Sequence, residues 1–278
     1  MNTASALRAA QSINSPLAGE PAIARREPIG SYDIVRVLPA GVSSQRVLTR
    51  SRTDGSAVVA HAIRRSLTNA QGWRAATGRP SRDGKRLLGL LAPLRTIENA
   101  HILPISDVVL DGAGWHWVVT PYCGAADGLV TLANVVSAQP EGRLSAVEAL
   151  HATRQLLLAS EAAHVRGVVH GALDPEEVLV DRHGSIAIEL YGLRRRMSGA
   201  GLWDANAAAH EVRSIAALSY RMVTGFAAPD HFVRASRVVR GLGERFDDWL
   251  ALALDGPGFA SVGDALSSLP GVGGAARR

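Results

Sequence analysis

The sequence predicts an α+β protein of two lobes, a small strand-rich one followed by a larger helical one. Three observations carry that reading. Up to about residue 120 the chain runs in short β-type segments parted by glycine-containing turns. After residue 145 apolar residues recur at helical spacing behind a capping signal. The 278 residues, 47% apolar and 20% charged, suffice for a substantial core and argue for a folded chain.

Residues 1–28 read as a flexible leader, with one early arginine and no sustained apolar core of the kind a secretory signal needs. Residues 29–120 form the first lobe and 121–270 the second, with 271–278 as a tail. In the first lobe, strands are expected at 35–38, 47–49 and 57–63, the last after an Asp54-Gly55 turn. A polar stretch follows, ending in a short helix at 83–94, and two further strands are expected at 103–110 and 115–120. The run PYCGAADGL reads as a connector. Ser145-Ala-Val-Glu148 is a capping box opening a long helix, with Val147, Leu150, Leu157 and His164 on one buried stripe. Strands at 178–180 and 186–190 flank an Asp181-Arg-His-Gly184 turn. A helix over 210–223 aligns Ile215, Leu218 and Met222, and residues 246–269 are helical in pieces, with a turn at 255–258.

Composition excludes several classes. No run of apolar residues is long enough to span a bilayer. The lone Cys123 forms no internal disulfide, reads as a half-buried thiol, and joins no Cys/His cluster of zinc spacing. Lys85 is the one lysine among 30 basic residues, which rules out any mechanism needing two. A net charge of +5 and 5% aromatics give no stacking platform for nucleic acid, and Arg194-Arg195-Arg196 reads as a solvated face.

The stretch VVHGALDPEEVLV, residues 168–180, follows the long helix, and Tyr220-Arg-Met-Val-Thr-Gly225 closes a later one. This order of elements resembles the eukaryotic-like serine/threonine protein kinase family over roughly residues 31–269, and implies its two-lobed fold. His170-Gly171 also suits small-molecule phosphotransferases of the aminoglycoside type; the 220–225 ending favours the protein-kinase branch.

The resemblance implies a place for each catalytic part, and most are altered. The glycine-rich loop falls on Pro39, Gly41 and Ser44, a plain turn rather than a phosphate cradle. The lysine position holds His61 when counted from Gly55, or Arg64 when Ala62-Ile63-Arg64 is matched to Ala-Ile-Lys; Arg64 is the residue that could still pair with a nucleotide. The partner glutamate falls near Gly89, where no acid stands. In the catalytic loop His170 is kept as a packing residue. Ala172 replaces the base, Asp174 the lysine and Glu177 a metal ligand. Leu190-Tyr191-Gly192 takes the place of the metal-binding turn. Glu189 could stand in for the aspartate only through a slip and a bulge, since strand alternation turns it away from Ile188 and Leu190. Only 18 residues separate Gly192 from Glu211, which replaces the helix-start aspartate, and Ser198 is the one hydroxyl in that stretch.

These substitutions imply no catalytic residue, no metal site and no cofactor, with binding of ATP and Mg weak or absent. The expectation is a catalytically inactive kinase-like domain, cytoplasmic and bacterial, acting as a scaffold or allosteric partner of another protein. The alternative is an atypical phosphotransfer enzyme built on Arg64, Asp174 and Glu177. Trp115, Trp117 and Trp249 read as packing residues, and Trp203 as the partner-contact candidate.

Overall fold

The computed structural model describes residues 28–63, 82–110, 116–125, 128–228 and 231–271. Five strands, β1 (Tyr32–Val37), β2 (Gln45–Ser51), β3 (Ala57–Ile63), β4 (Asp107–Leu110) and β5 (His116–Pro121), form one antiparallel sheet of order β1-β2-β3-β5-β4. Its apolar residues, among them Val47, Ala60 and the fully buried Trp117, pack on Ile29. Helix α1 (Arg82–Leu91) lies before β4, and a single 3-10 turn at Leu94–Thr96 follows it.

The second lobe holds α2 (Leu132–Ala138), α3 (Ala146–Val165), the hairpin β6 (Val178–Val180) and β7 (Ile186–Ile188), then α4 (Leu193–Met197), α5 (Ala205–Thr224), α6 (Glu244–Leu254) and α7 (Val262–Ser268). Ser145 accepts from Glu148 N–H and Glu148 caps Ser145 N–H in return, so the capping box starts α3 as expected. Helix α5 ends on Gly225, whose φ of 81° is left-handed. A Cβ there would sit 2.9 Å from the Glu141 carbonyl, so any larger residue would collide with backbone. The two long helices pack together, and Thr153 and Ser219 share a buried 2.7 Å hydroxyl hydrogen bond between them.

Backbone stitches the lobes: Leu103 N–H donates to Ile188 O (2.9 Å) and Ile188 N–H to His101 O (2.9 Å). Among the described residues no helix is long and apolar enough to cross a membrane.

Several expectations need correction. β2 is longer at both ends than 47–49, because Arg46 and Arg50 lie within the ladder. β1 begins three residues early, and β4 keeps only the last half of 103–110, the earlier residues running as lobe-to-lobe connection. Helix α1 stops at Leu91 instead of 94. Helix α2 was not foreseen, and α5 starts five residues earlier than 210, on the Asp204 cap. The α3 stripe was drawn too narrow: Ala149, Ala152, Thr153, Leu156, Ala159, Ser160 and Ala163 are buried too, while Val147 and His164 are only partly so. The leader, Arg64, Asp111 to Trp115 and nearly all of the tail lie outside the described residues.

Candidate functional site between the lobes

Antiparallel pairing sets Arg46 of β2 opposite His61 of β3, so both side chains leave the sheet on one face, toward the second lobe. His61 is fully buried. Its Nδ1 lies 3.2 Å from Ser44 Oγ and its Nε2 2.9 Å from Thr120 Oγ1. Burial, reinforced by the Arg46 charge, depresses its pKa from 6.5 to about 3, so the ring is neutral at pH 7.

Arg46, 2% exposed, reaches across to the second lobe. Its Nε donates to Glu189 Oε2 (3.0 Å), and its Nη2 donates to Glu189 Oε1 and to the Glu176 carbonyl (2.9 Å). Glu189 is 4% exposed; burial raises its carboxyl above the ordinary glutamate value, and the adjoining guanidinium works against that rise. Glu189 N–H donates to the Glu177 carbonyl (3.0 Å), so the β6–β7 pairing runs one residue past Ile188, and Glu189 meets Arg46 of the first lobe from the side opposite the buried Ile188, as strand alternation predicts.

Glu177 is the second buried acid. Its carboxylate accepts from Ser43 Oγ (3.2 Å) and from Arg194 Nη2 (3.4 Å), and it lies 3.7 Å from His170 Nε2. Asp174 turns back into its own loop, accepting from Glu176 N–H (2.9 Å). Ala172 is exposed and offers a methyl group; its carbonyl accepts from Arg194 Nη2 (2.9 Å). Pro39 is exposed, and Gly41 N–H closes a turn onto Ser44 O (2.9 Å).

His170 stacks edge-on against Tyr191, ring centroids 5.0 Å apart, and burial lowers its pKa in spite of the nearby Glu177 charge. Leu190 and Tyr191 are buried, and Gly192 starts α4. Behind them Glu211 of α5 accepts from His170 N–H (2.6 Å), Gly171 N–H (3.0 Å), Ser160 Oγ (2.5 Å) and Tyr191 OH.

Among the described residues, no group of three or more His, Cys, Asp or Glu side chains could hold a metal ion. The structure therefore brings His61, Ser44, Glu177 and Glu189 to one interlobe face, and leaves Asp174 and Ala172 at its rim. Arg46 was missed, although an arginine beside the apolar Val47-Leu48 run was its signal. The arginine run is also not a free solvated face: besides Arg194, Arg195 pairs with Asp204 (3.3 Å) and Arg196 bonds the Ala200 carbonyl (3.0 Å). Trp117 and Trp249 are buried; Trp203 is 50% exposed, edge-on to His164 at 5.2 Å.

No model of a known protein family matches the chain. CBL-interacting protein kinase 4 of Oryza sativa subsp. japonica is 27% identical over 168 residues, 60% of this chain and 34% of the relative. CBL-interacting serine/threonine-protein kinase 19 of Arabidopsis thaliana is 26% identical over 165 residues, 59% of this chain and 30% of the relative. The chain thus spans about a third of the length of these relatives. Among solved structures, the Mycobacterium tuberculosis PknI kinase domain superposes with a TM-score of 0.62 at 17% identity, covering 88% of this chain and 96% of that domain. A double mutant of that domain gives 0.64 at 18%. The fold is protein-kinase-like.

Proposed function

We propose that this protein-kinase-like chain is a degenerate member of the serine/threonine protein kinase family that transfers no phosphate and serves another protein as a scaffold or allosteric partner. One observation carries the reading: both acids buried between the lobes, Glu177 and Glu189, are engaged by the arginines Arg194 and Arg46. Phosphotransfer by this fold depends on acids that hold metal ions against the phosphates, a lysine on β3 and a base for the acceptor hydroxyl. Here a neutral imidazole stands on β3, and an alanine stands where the base is expected. Charge stabilisation of the transition state has no source in such a set.

The relatives are named as kinases, which gives weight to the second reading, a non-standard phosphotransfer site made from Arg64, Asp174 and Glu177. It is the weaker one, because Asp174 spends its carboxylate on its own turn and Glu177 on Ser43 and Arg194.

Titration calorimetry with millimolar ATP, with and without Mg²⁺ or Mn²⁺, tests the reading together with transfer of label from γ-labelled ATP to a generic protein substrate. No metal-dependent heat and no labelled product are expected. Labelled product above a heat-killed blank would overturn the proposal.

A further inference from the structure

The turn between β1 and β2 roofs the Arg46 guanidinium. A Cβ added at Gly41 would fall 2.8 Å from its Cζ and Nε and 2.9 Å from its Nη2, so the loop lies flat on the planar group. Below, the same group is bonded to the Glu189 carboxylate and the Glu176 carbonyl, both of the second lobe. Beside it Ser43 of the roof donates to Glu177, again in the second lobe, at 3.2 Å. One short segment of the first lobe, residues 43–46, thereby reaches the turns around β6 and β7. If Pro39, Gly41 and Ser44 are the glycine positions of the loop motif, Arg46 falls on the position where the motif carries valine.

A guanidinium and a carboxylate both removed from water hold only when geometry is good and the remaining polar atoms find partners. Arg46 meets that condition with a fork onto Glu189 and a carbonyl beside it. Loss of either partner strands the other charge.

We propose that Arg46 is a tethered occupant of the interlobe cleft, whose guanidinium clasps the two lobes together without any bound ligand. The clasp concerns lobe closure, and stands whether or not phosphate transfer is lost. It adds a charged side-chain bond between Arg46 and Glu189 to the backbone bonds of His101 and Leu103 with Ile188 that already join the lobes.

The test is Arg46→Ala, followed by hydrogen exchange and thermal melting of the full chain. Backbone exchange is expected to rise together in residues 38–44 and 172–177, with a fall in melting temperature of about 5–10 °C. Methylguanidinium at about 10 mM, a concentration chosen as a usual order for chemical rescue of a vacated side-chain site, should reverse both changes by refilling the site. It should do nothing for Arg46→Ala/Glu189→Ala, which lacks the carboxylate. Unchanged exchange in Arg46→Ala, or equal rescue of the double variant, would overturn the clasp. If Arg46→Ala does not fold, Glu189→Gln keeps the shape and removes the charge. It should show the same paired rise in exchange, and its absence there would overturn the proposal as well.

Discussion

Tyr191 donates its phenolic hydrogen to Glu211, tying the turn after β7 to the central helix α5 inside the core of the second lobe. Burial and the adjacent carboxylate both push the phenol pKa far up, so Tyr191 is always the donor. Burial alone would raise the Glu211 carboxyl; the His164 imidazole 3.4 Å away, His170 and the surrounding donors outweigh it and hold the pKa below the ordinary glutamate value. Tyr191→Phe should cost about 1–2 kcal/mol in urea unfolding, and Glu211→Ala about 3 kcal/mol or more, since it leaves two backbone N–H groups and two hydroxyls buried without an acceptor. Equal losses for the two would show that Glu211 is not the hub.

The neutral His61 makes stability depend on pH. Its pKa is about 3 in the native state against 6.5 unperturbed, so between those values the unfolded chain carries a proton that the native one lacks. This contribution is complete above pH 6.5 and is lost as the pH falls toward 3, with a slope approaching about 1.4 kcal/mol per pH unit. Glu189, whose native pKa is raised, acts in the opposite sense above its ordinary value of 4.5. His61→Gln, which keeps a polar group for Ser44 and Thr120, should flatten the acid limb by about one proton in unfolding titrations. An unaltered limb would mean that the ring is charged in the native protein.

Restoring the expected base and metal-turn aspartate should not restore chemistry. In Ala172→Asp/Leu190→Asp, Arg46 and Arg194 still hold Glu189 and Glu177, and no lysine is gained on β3. Label transfer from γ-labelled ATP should stay at the blank level. Turnover in the double variant would place the defect in those two residues alone.

Gly41 and Arg46 should be coupled energetically. Gly41→Ala is expected to destabilise the wild-type chain, because its methyl group would displace a guanidinium pinned from below, and to have little effect once Arg46 is alanine. A double-mutant cycle should yield a coupling of about 0.5–3 kcal/mol. Additivity within error would separate the loop from the side chain beneath it.

Trp203 offers half of its surface to solvent, while Val165, at the end of the helix that carries its His164 neighbour, is 80% exposed. If Trp203 anchors a partner interface, Trp203→Ala should abolish capture of that partner and lower the melting temperature only slightly, by the loss of one edge-on ring contact. Retained capture would move the interface elsewhere.

What the sequence made legible was mostly local. Ser145 and Glu148 cap α3 within four residues, and Gly225 ends α5, so neither needs distant structure to be read. Helix α2 escaped notice because Asn134, rather than a glutamate or glutamine, closes its capping box with Thr131. Arg46 escaped because an arginine in a short strand reads as solvent-facing, and its partner lies 143 residues away. The side taken by Glu189, opposite Ile188, follows from strand alternation, but its occupation by Arg46 does not, because that partner comes from the other lobe. The kinase-like order of elements was visible in turns and caps; the charge pairing that fills the space between the lobes is a property of the folded arrangement alone.

The same separation bears on how the chain assembles. During synthesis Arg46 emerges 143 residues before Glu189, and the five-stranded sheet is complete by Pro121 with its inner arginine still hydrated. Docking that sheet on the helical half must strip water from a charge whose counter-ion has only just left the ribosome. A chain that stops before β7 therefore leaves the Arg46 guanidinium without the carboxylate that offsets its burial.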